Sequence, residues 1–228
     1  MELLLISGLL CDASLFAEQI KALSNTVQIT VADHKSHDSM QTLAENILAK
    51  APPKFALAGF SMGGYIALEM MRQAPERVLK LALLDTSPYA DSPEQTATRQ
   101  QKIAEARQTG KASIASILPS LIPPERHKDK ALMDAVFAMD KNNTLKSYIN
   151  QQSAIINRAD SSDVLPQITC PTLVLCGRQD AITPVSIHQD MADTIPHATL
   201  VVIEDCGHAS TMERPAEVNA AMLEWLES

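Results

Sequence analysis

The sequence has no apolar run that approaches the length of a membrane-spanning helix. Its first six residues are largely apolar, but they lack the basic region of a secretory signal peptide, and Ser7 and Gly8 interrupt the run. Basic residues are not in excess either, since the net charge is -8 and the isoelectric point is near 5.2. A phosphate backbone would be repelled by such a chain. We therefore expect a cytoplasmic protein that binds neither nucleic acid nor membrane.

Cysteine is scarce and shows none of the close spacings typical of metal sites. The four cysteines, Cys11, Cys170, Cys176 and Cys206, lie in or beside apolar runs. Cys170 and Cys176 flank one predicted strand and are not expected to pair while that strand is extended. Reduced, buried thiols are the simplest interpretation. We predict no metal site and no cofactor.

Strand-like and helix-like segments alternate along most of the 228 residues. Short apolar runs predict six strands, at residues 2–6, 27–31, 54–58, 78–84, 171–176 and 199–203. Helical patterns lie between or after them, at about residues 12–23, 39–49, 65–71, 184–194 and 215–226. Apolar strands separated by helices indicate a mostly parallel sheet covered on both faces. The predicted fold class is therefore α/β.

Residues 91–165 break this alternation. The segment has helical periodicity but no strand-like run, and Gly110, Pro119 and the pair Pro123-Pro124 interrupt it. It contains ten Lys or Arg against nine Asp or Glu, whereas the rest of the chain has nine against eighteen. We predict a helical cap, here called the cap segment, inserted over the carboxyl edge of the sheet, where open α/β sheets bind ligands. Residues 1–90 and 166–228 would form the core, although the segment could also be a decoration without a role in the site.

The most informative motif is Gly59-Phe60-Ser61-Met62-Gly63, which lies between a predicted strand and a predicted helix. A G-x-S-x-G sequence in that position is typical of a nucleophile elbow, in which a sharp turn exposes the serine hydroxyl. The motif lacks the Lys-Ser/Thr pair of a P-loop and the three-glycine spacing of a dinucleotide site. Ser61 is therefore the predicted nucleophile. The elbow geometry also makes the Met62 amide a predicted oxyanion donor.

A serine nucleophile needs a base and an acid that orients the base. His208 follows the last strand and is the predicted base; His34 and His37, after the second strand, are its positional rivals. We expect the other three histidines, His127, His188 and His197, to lie on the surface.

Asp180 follows the fifth strand and is the predicted acid, whereas Asp85, after the fourth strand, is the alternative. Asp33 and Asp205 lie further from the expected geometry.

These motifs give the chain a resemblance to α/β-hydrolases of the small, helically capped type, similar to bacterial carboxylesterases and methylesterases. The resemblance rests on the elbow, on Gly177-Arg178-Gln179-Asp180 before Pro184, and on Gly207-His208 before Glu213-Arg214-Pro215. It covers the chain outside the cap segment. Many relatives begin with two further antiparallel strands, so we expect a shorter sheet of about six strands. Where relatives carry His-Gly after the first strand, this chain has Ser7-Gly8, and the resemblance makes the Leu9 amide a second oxyanion donor.

The predicted reaction is hydrolysis of a small or medium carboxylic ester or thioester through an acyl-enzyme on Ser61. The cap segment offers apolar residues that could line a pocket (Leu121, Met133, Phe137 and Met139), although each could equally be packing inside the cap. We expect Leu10, Met133 and Phe137 to contact the substrate. Three alternatives stay open: carbon–carbon hydrolysis, lyase or perhydrolase chemistry on the same triad; a non-catalytic small-molecule receptor; and an interaction module with a degenerate site.

Overall fold

The computed structural model describes all 228 residues and contains a single six-stranded sheet. Its strand order is β2-β1-β3-β4-β5-β6, and every neighbouring pair is parallel. The strands are β1 (Glu2–Ile6), β2 (Gln28–Val31), β3 (Phe55–Phe60), β4 (Val78–Leu84), β5 (Thr172–Gly177) and β6 (Ala198–Ile203). The predicted number of strands and the predicted parallel sheet are confirmed.

Ten helices accompany the sheet. They are α1 (Ala17–Leu23), α2 (Met40–Lys50), α3 (Met62–Gln73), α4 (Pro93–Thr109), α5 (Leu118–Leu121), α6 (Lys130–Ala138), α7 (Leu145–Ile156), α8 (Val185–Thr194), α9 (Ser210–Glu213) and α10 (Pro215–Glu227). Short 3-10 turns occupy several of the connections. No helix is both long enough and apolar enough to cross a membrane.

Both faces of the sheet are covered by apolar packing. Because successive side chains of a strand point to opposite faces, Leu3 and Leu5 belong to one buried cluster, while Leu4 and Ile6 belong to the other. Helices α1 and α10 pack into the first cluster, and α2, α3 and α8 pack into the second. The central strands β3 and β5 are buried along their whole length. This double burial explains why the strands are continuous apolar runs in the sequence.

The chain leaves the sheet at Leu84 and returns to it at Thr172, with helices and turns but no strand between. Helix α7 contributes Ala154 and Ile155 to one core cluster, and Leu121 of α5 belongs to the other. The cap segment is therefore packed against the body of the fold. The division of the chain at residues 90/91 and 165/166 stays a prediction.

All four cysteines are free thiols. Cys11, Cys176 and Cys206 are buried, but Cys170 is half-buried rather than buried as expected. No group of three or more His, Cys, Asp or Glu side chains is placed so that it could hold a metal ion.

Candidate active site

Ser61 lies in a sharp turn between the end of β3 at Phe60 and the start of α3 at Met62. Its backbone angles are φ 52° and ψ -116°, a conformation that non-glycine residues rarely adopt. The helix starts so close to the first strand that a Cβ atom on Gly63 would lie 2.0 Å from the carbonyl oxygen of Ile6. Glycine is therefore required at this position, and the predicted strand–turn–helix context of the motif is present.

Three side chains from separate loops meet at the carboxyl edge of the sheet. Asp180 lies three residues beyond the end of β5 at Gly177, and His208 lies five residues beyond the end of β6 at Ile203. The Nε2 atom of His208 is 2.9 Å from Oγ of Ser61, and its Nδ1 atom is 2.8 Å from Oδ2 of Asp180. Since an ionised carboxylate only accepts hydrogen bonds, Nδ1 of His208 carries the proton and Nε2 is free to accept the serine proton.

The carboxylate of Asp180 is held in place by its own loop. Oδ1 accepts hydrogen bonds from the amides of Ile182 at 2.8 Å and Thr183 at 3.0 Å, and Oδ2 accepts one from the Thr183 hydroxyl at 2.7 Å. Burial alone would raise the pKa of Asp180, but His208 and these hydrogen bonds hold the pKa below its usual range. Asp180 is thus kept ionised against His208. The contribution of Thr183 was not predicted from the sequence.

Asp85 has a different position and a different environment. One carboxylate oxygen accepts the amide of Gly177 at 3.1 Å, and the other accepts the hydroxyl of Ser210. It makes no hydrogen bond to His208. Burial, reinforced by the nearby charge of Asp180, raises the pKa of Asp85 well above its ordinary value. Asp85, which directly follows β4, therefore links the end of β5 to the start of α9, two residues after His208.

The two rival histidines do not reach the nucleophile. His34 is buried, and its Nε2 atom donates to the carbonyl oxygen of Gly8 at 2.8 Å. Burial lowers its pKa, so the ring is neutral at neutral pH. His37, in the same loop, is half-buried and makes no hydrogen bond within the chain. Only His208 is hydrogen-bonded to Ser61.

The expectation that His188 lies on the surface is wrong. Its side chain is fully buried, and Nε2 accepts the amide of Thr86 at 3.0 Å. Burial lowers its pKa to about 4. His127 is half-buried and bonded to the carbonyl of Ile122, and His197 is exposed. His188 lies three and seven residues before the buried Met191 and Ile195, a helical spacing that places it on the core-facing side of α8 and that could have indicated its burial.

Two backbone amides are available beside the nucleophile. Met62 is the first residue of α3, so its N–H has no acceptor within the helix. The Leu9 amide donates no hydrogen bond within the chain. The loop that contains Leu9 passes next to the elbow, since a Cβ on Gly8 would lie 3.3 Å from Cβ of Ser61. Both predicted oxyanion donors therefore lie next to the predicted nucleophile.

Side chains from distant parts of the chain hold the loop that carries Leu9, here called the oxyanion loop (residues 8–10). Leu10 adopts a positive φ of 61°, its amide donates to Oε1 of Gln151 at 3.2 Å, and its carbonyl accepts Nδ2 of Asn143 at 2.6 Å. His34 binds the preceding carbonyl of Gly8, as described above. The oxyanion loop is thus held by His34, at the edge of the sheet, and by Gln151 and Asn143 of the cap segment.

A cavity of about 310 Å³ opens beside Ser61 and His208. Its apolar wall includes Leu9, Phe60, Ile117, Leu121, Ile155 and Ile182. A second wall consists of polar side chains from α4, namely Glu94, Gln95, Thr98, Arg99 and Lys102. The core of the fold and the cap segment both contribute to this cavity, and Ser61 and His208 lie in its wall.

The structure places none of the three predicted substrate contacts at this cavity. The side chain of Leu10 is fully buried in the apolar core and does not line the cavity. Met133 is buried in α6, while Phe137 on the same helix is 41% exposed to solvent. Of the four apolar cap residues considered, Leu121 lines the cavity and the fully buried Met139 does not. An apolar pattern alone does not distinguish packing inside the cap from a pocket wall.

Comparison with known proteins supports the fold and the reaction class. A family model described as alpha/beta hydrolase fold matches residues 38–215. A pimeloyl-(acyl-carrier protein) methyl ester esterase from Vibrio parahaemolyticus is 28% identical over 206 residues, covering 86% of this chain and 79% of its own length. The enzyme of the same name from Nitrosomonas europaea is 24% identical over 247 residues, covering 95% of this chain and 92% of its own length.

Solved structures give the same result. A thermophilic esterase from Thermogutta terrifontis, in a malate-bound structure, is 30% identical with a TM-score of 0.89, covering 100% of this chain and 89% of that one. The enol-lactonase from Burkholderia xenovorans shares the fold, with a TM-score of 0.83 at 21% identity, and the match covers 100% of this chain and 92% of that one. These relatives confirm the predicted class of carboxylic ester hydrolase. The elbow, the parallel sheet and the matching family model together show that the chain belongs to the α/β-hydrolase fold family.

Proposed function

We propose that this protein is a serine hydrolase that cleaves a small or medium carboxylic ester, with Ser61 as nucleophile, His208 as base and Asp180 as acid. The observation that carries the proposal is the continuous hydrogen-bonded chain from Ser61 through His208 to Asp180, at the wall of a cavity. A serine, a neutral imidazole and an ionised carboxylate in this order are what acyl transfer requires. The esterase relatives support an ester as the bond that is cleaved.

In the first half of the reaction, Oγ of Ser61 attacks the ester carbonyl carbon while Nε2 of His208 accepts the serine proton. The C=O electron pair moves onto oxygen, and the amides of Leu9 and Met62 donate hydrogen bonds to that oxyanion. When the oxyanion collapses, the C–O bond to the alcohol breaks and His208 protonates the leaving alkoxide. The product of this half is the acyl-enzyme on Ser61.

In the second half, a water molecule repeats the role of the serine. His208 accepts a proton from the water as its oxygen attacks the acyl carbon, and the same two amides stabilise the new oxyanion. Collapse returns the proton to Oγ of Ser61 and releases the carboxylic acid. Asp180 keeps the imidazole in one tautomer and stabilises its charged form throughout. The chain's own residues are sufficient for each step.

The cavity supports the proposed size of the substrate. A volume of about 310 Å³ lies at the lower end of the range for ligand pockets, which suits a short or medium acyl group. Leu121 and Ile155 from the cap segment and Phe60 and Ile182 from the core supply apolar contacts on either side. We therefore assign the cap segment, residues 91–165, a role in substrate choice and the core a role in the chemistry.

Labelling with a fluorophosphonate tests the catalytic serine directly. Intact-mass spectrometry should show one adduct on the native protein and none on Ser61→Ala. Ser120→Ala is the matched control, because this hydroxyl also lines the cavity but has no partner histidine. It should be labelled like the native protein. An adduct that persists on Ser61→Ala would contradict the proposed nucleophile. Hydrolysis of p-nitrophenyl esters of increasing chain length would then define the acyl preference.

A further inference from the structure

The wall of the active-site cavity formed by α4 is unusual because it is polar. Its five lining residues fall at positions 94, 95, 98, 99 and 102, a spacing of three to four residues that places them on one face of the helix. Ile103 and Ala106 are the only buried residues of α4. The helix therefore presents a polar face, rather than an apolar one, to the space beside the nucleophile.

Arg99 is fixed within that wall. Its Nε atom donates to Oδ2 of Asp91 at 2.6 Å, and Nη1 donates to Oε1 of Gln152 at 3.0 Å. Gln152 is itself oriented by a hydrogen bond from its Nε2 to the hydroxyl of Tyr148 at 2.9 Å. A guanidinium group has five N–H donors, and these contacts use two of them. The remaining donors are available to a ligand from a side chain that is already ordered.

The charge of Arg99 is not neutralised by its carboxylate partner. The other oxygen of Asp91 accepts Nη1 of Arg158 at 2.7 Å, so one buried carboxylate is shared between two guanidinium groups. The cluster of three side chains therefore carries a net positive charge. Arg158 has no place in the cavity wall, whereas Arg99 does.

Lys102 lies one helical turn beyond Arg99 and lines the same cavity. It is half-buried, and it forms neither an ion pair nor a hydrogen bond within the chain. The only acidic side chain in the cavity wall is Glu94, which is exposed and hydrogen-bonded to the hydroxyl of Ser92 at 2.7 Å. Two cations against one exposed anion make this wall electropositive, in a protein whose net charge is -8.

We propose that Arg99 and Lys102 form an anion-binding subsite in the active-site cavity, and that the substrate is a half-ester of a dicarboxylic acid. Its free carboxylate would bind Arg99 and Lys102 while its ester carbonyl lies at Ser61. The planar guanidinium matches a carboxylate in shape, and the apolar wall between would contact the methylene chain. The proposal rests on the proposed ester hydrolysis and specifies the class of its substrate.

Paired substrates test the subsite. The monomethyl and dimethyl esters of succinic, glutaric, adipic and pimelic acids differ, at each length, only in one free carboxylate. Hydrolysis measured in a pH-stat should show a higher kcat/KM for the monomethyl ester, with an optimum at one chain length. Lys102→Gln and Arg99→Gln should lower the ratio of monoester to diester kcat/KM by about tenfold to a hundredfold, the range for a lost hydrogen bond to a charged group. Most of this loss should be in KM.

Arg107→Gln is the matched control. It removes one positive charge from the same helix at an exposed position outside the cavity wall, and its ratio should equal that of the native enzyme. Lys102→Glu is the sharper variant, because Lys102 has no contact whose loss could unfold the protein. If Lys102→Glu and Arg107→Gln have the same ratio as the native enzyme, the subsite is wrong.

Calorimetric binding of adipate separates this inference from the proposed function. Adipate should bind the native protein and bind Lys102→Glu at least tenfold more weakly, whether or not any ester is hydrolysed. Inorganic phosphate is the competing probe; if it binds and adipate does not, the carboxylate assignment is overturned. If the fluorophosphonate labels Ser61 and the unlabelled enzyme hydrolyses the dimethyl esters with no preference for the half-esters, the proposed function stands and the subsite fails. Should Ser61 resist labelling, the proposed function fails, and adipate binding alone decides the subsite.

Discussion

His34 is hydrogen-bonded to the peptide group whose N–H is the proposed oxyanion donor of Leu9. Its Nε2 atom donates to the carbonyl oxygen of Gly8 at 2.8 Å, and the N–H of that same peptide group belongs to Leu9. A hydrogen bond to the carbonyl polarises the peptide and strengthens its N–H as a donor. A histidine from the loop after β2 thus holds a peptide beside Ser61, and we propose that His34 acts as a positioning residue.

Removal of the hydrogen bond between His34 and Gly8 should slow turnover more than it weakens substrate binding. His34→Leu is expected to lower kcat by about fivefold to tenfold, the effect of one hydrogen bond of about 1 kcal/mol, with a smaller change in KM. His34→Gln retains an N–H donor and should recover part of the loss. His37→Ala, in the same loop but without a hydrogen bond, is the control. Equal loss of kcat in His34→Leu and His34→Gln would count against the positioning role.

Replacing the two buried aspartates should have unequal effects. Asp180→Asn is expected to lower kcat by about 10⁴, because the amide no longer holds His208 in the required tautomer. Asp85→Asn keeps an acceptor for the Gly177 amide and gains a donor toward Ser210, so its loss should be below about tenfold. Both variants should be shown to be folded by thermal unfolding. A larger loss in Asp85→Asn than in Asp180→Asn would move the acid to the end of β4.

His188 should make the protein sensitive to acid. Burial lowers its pKa from 6.5 to about 4, so between these values the unfolded chain binds a proton that the folded chain does not. Its contribution to stability is therefore present above pH 6.5 and is lost as the pH falls toward 4, by about 3 kcal/mol. His188→Gln keeps an acceptor for the Thr86 amide but does not titrate. Urea unfolding at pH 7 and pH 4.5 should show a smaller difference for this variant; an unchanged difference would mean that other groups set the acid sensitivity.

The cap residues that line the cavity should set the acyl chain length. Ile117 is half-buried and belongs to the cavity wall, so Ile117→Trp should fill part of the space and shift the preference toward shorter p-nitrophenyl esters. We expect a loss of about tenfold for the longest ester that the native enzyme accepts, comparable to the misfit of one or two methylene groups. Phe137→Ala, on the exposed side of α6, should leave the profile unchanged. A shift in the control but not in Ile117→Trp would reverse this assignment.

The fold could be predicted because each strand has its own local signal. The run Val78–Leu84 matched the observed β4 to the residue, and β5 and β6 differed from their predicted ends by one residue. Doubly buried strands are continuous apolar runs whatever their partners, so their identity does not depend on tertiary contacts. The loops after β3, β5 and β6 then brought Ser61, Asp180 and His208 to one edge, as parallel topology requires.

The cavity wall could not be predicted in the same way. Whether a cap residue faces the cavity depends on how the cap helices lie against the body, and this is set by long-range contacts. The bond between Arg99 and Gln152 joins residues 53 positions apart, and that between Leu10 and Gln151 joins residues 141 apart. The apolar pattern of the cap segment also predicted Met133 and Phe137 as pocket residues and gave no indication of the polar face of α4.

The attachment of the oxyanion loop to Gln151 and Asn143 limits how this enzyme could be re-engineered. Exchange of the cap segment for that of a relative would change specificity alone only if the reaction centre were self-contained. A grafted cap that lacked these two side chains would leave the amide of Leu10 without its acceptor and the carbonyl of Leu10 without its donor. The oxyanion loop would then lose both of its attachments to the cap segment. Such a chimaera would lose rate along with its old preference. Transplanted caps should therefore retain both positions, so that selectivity can be changed without loss of turnover.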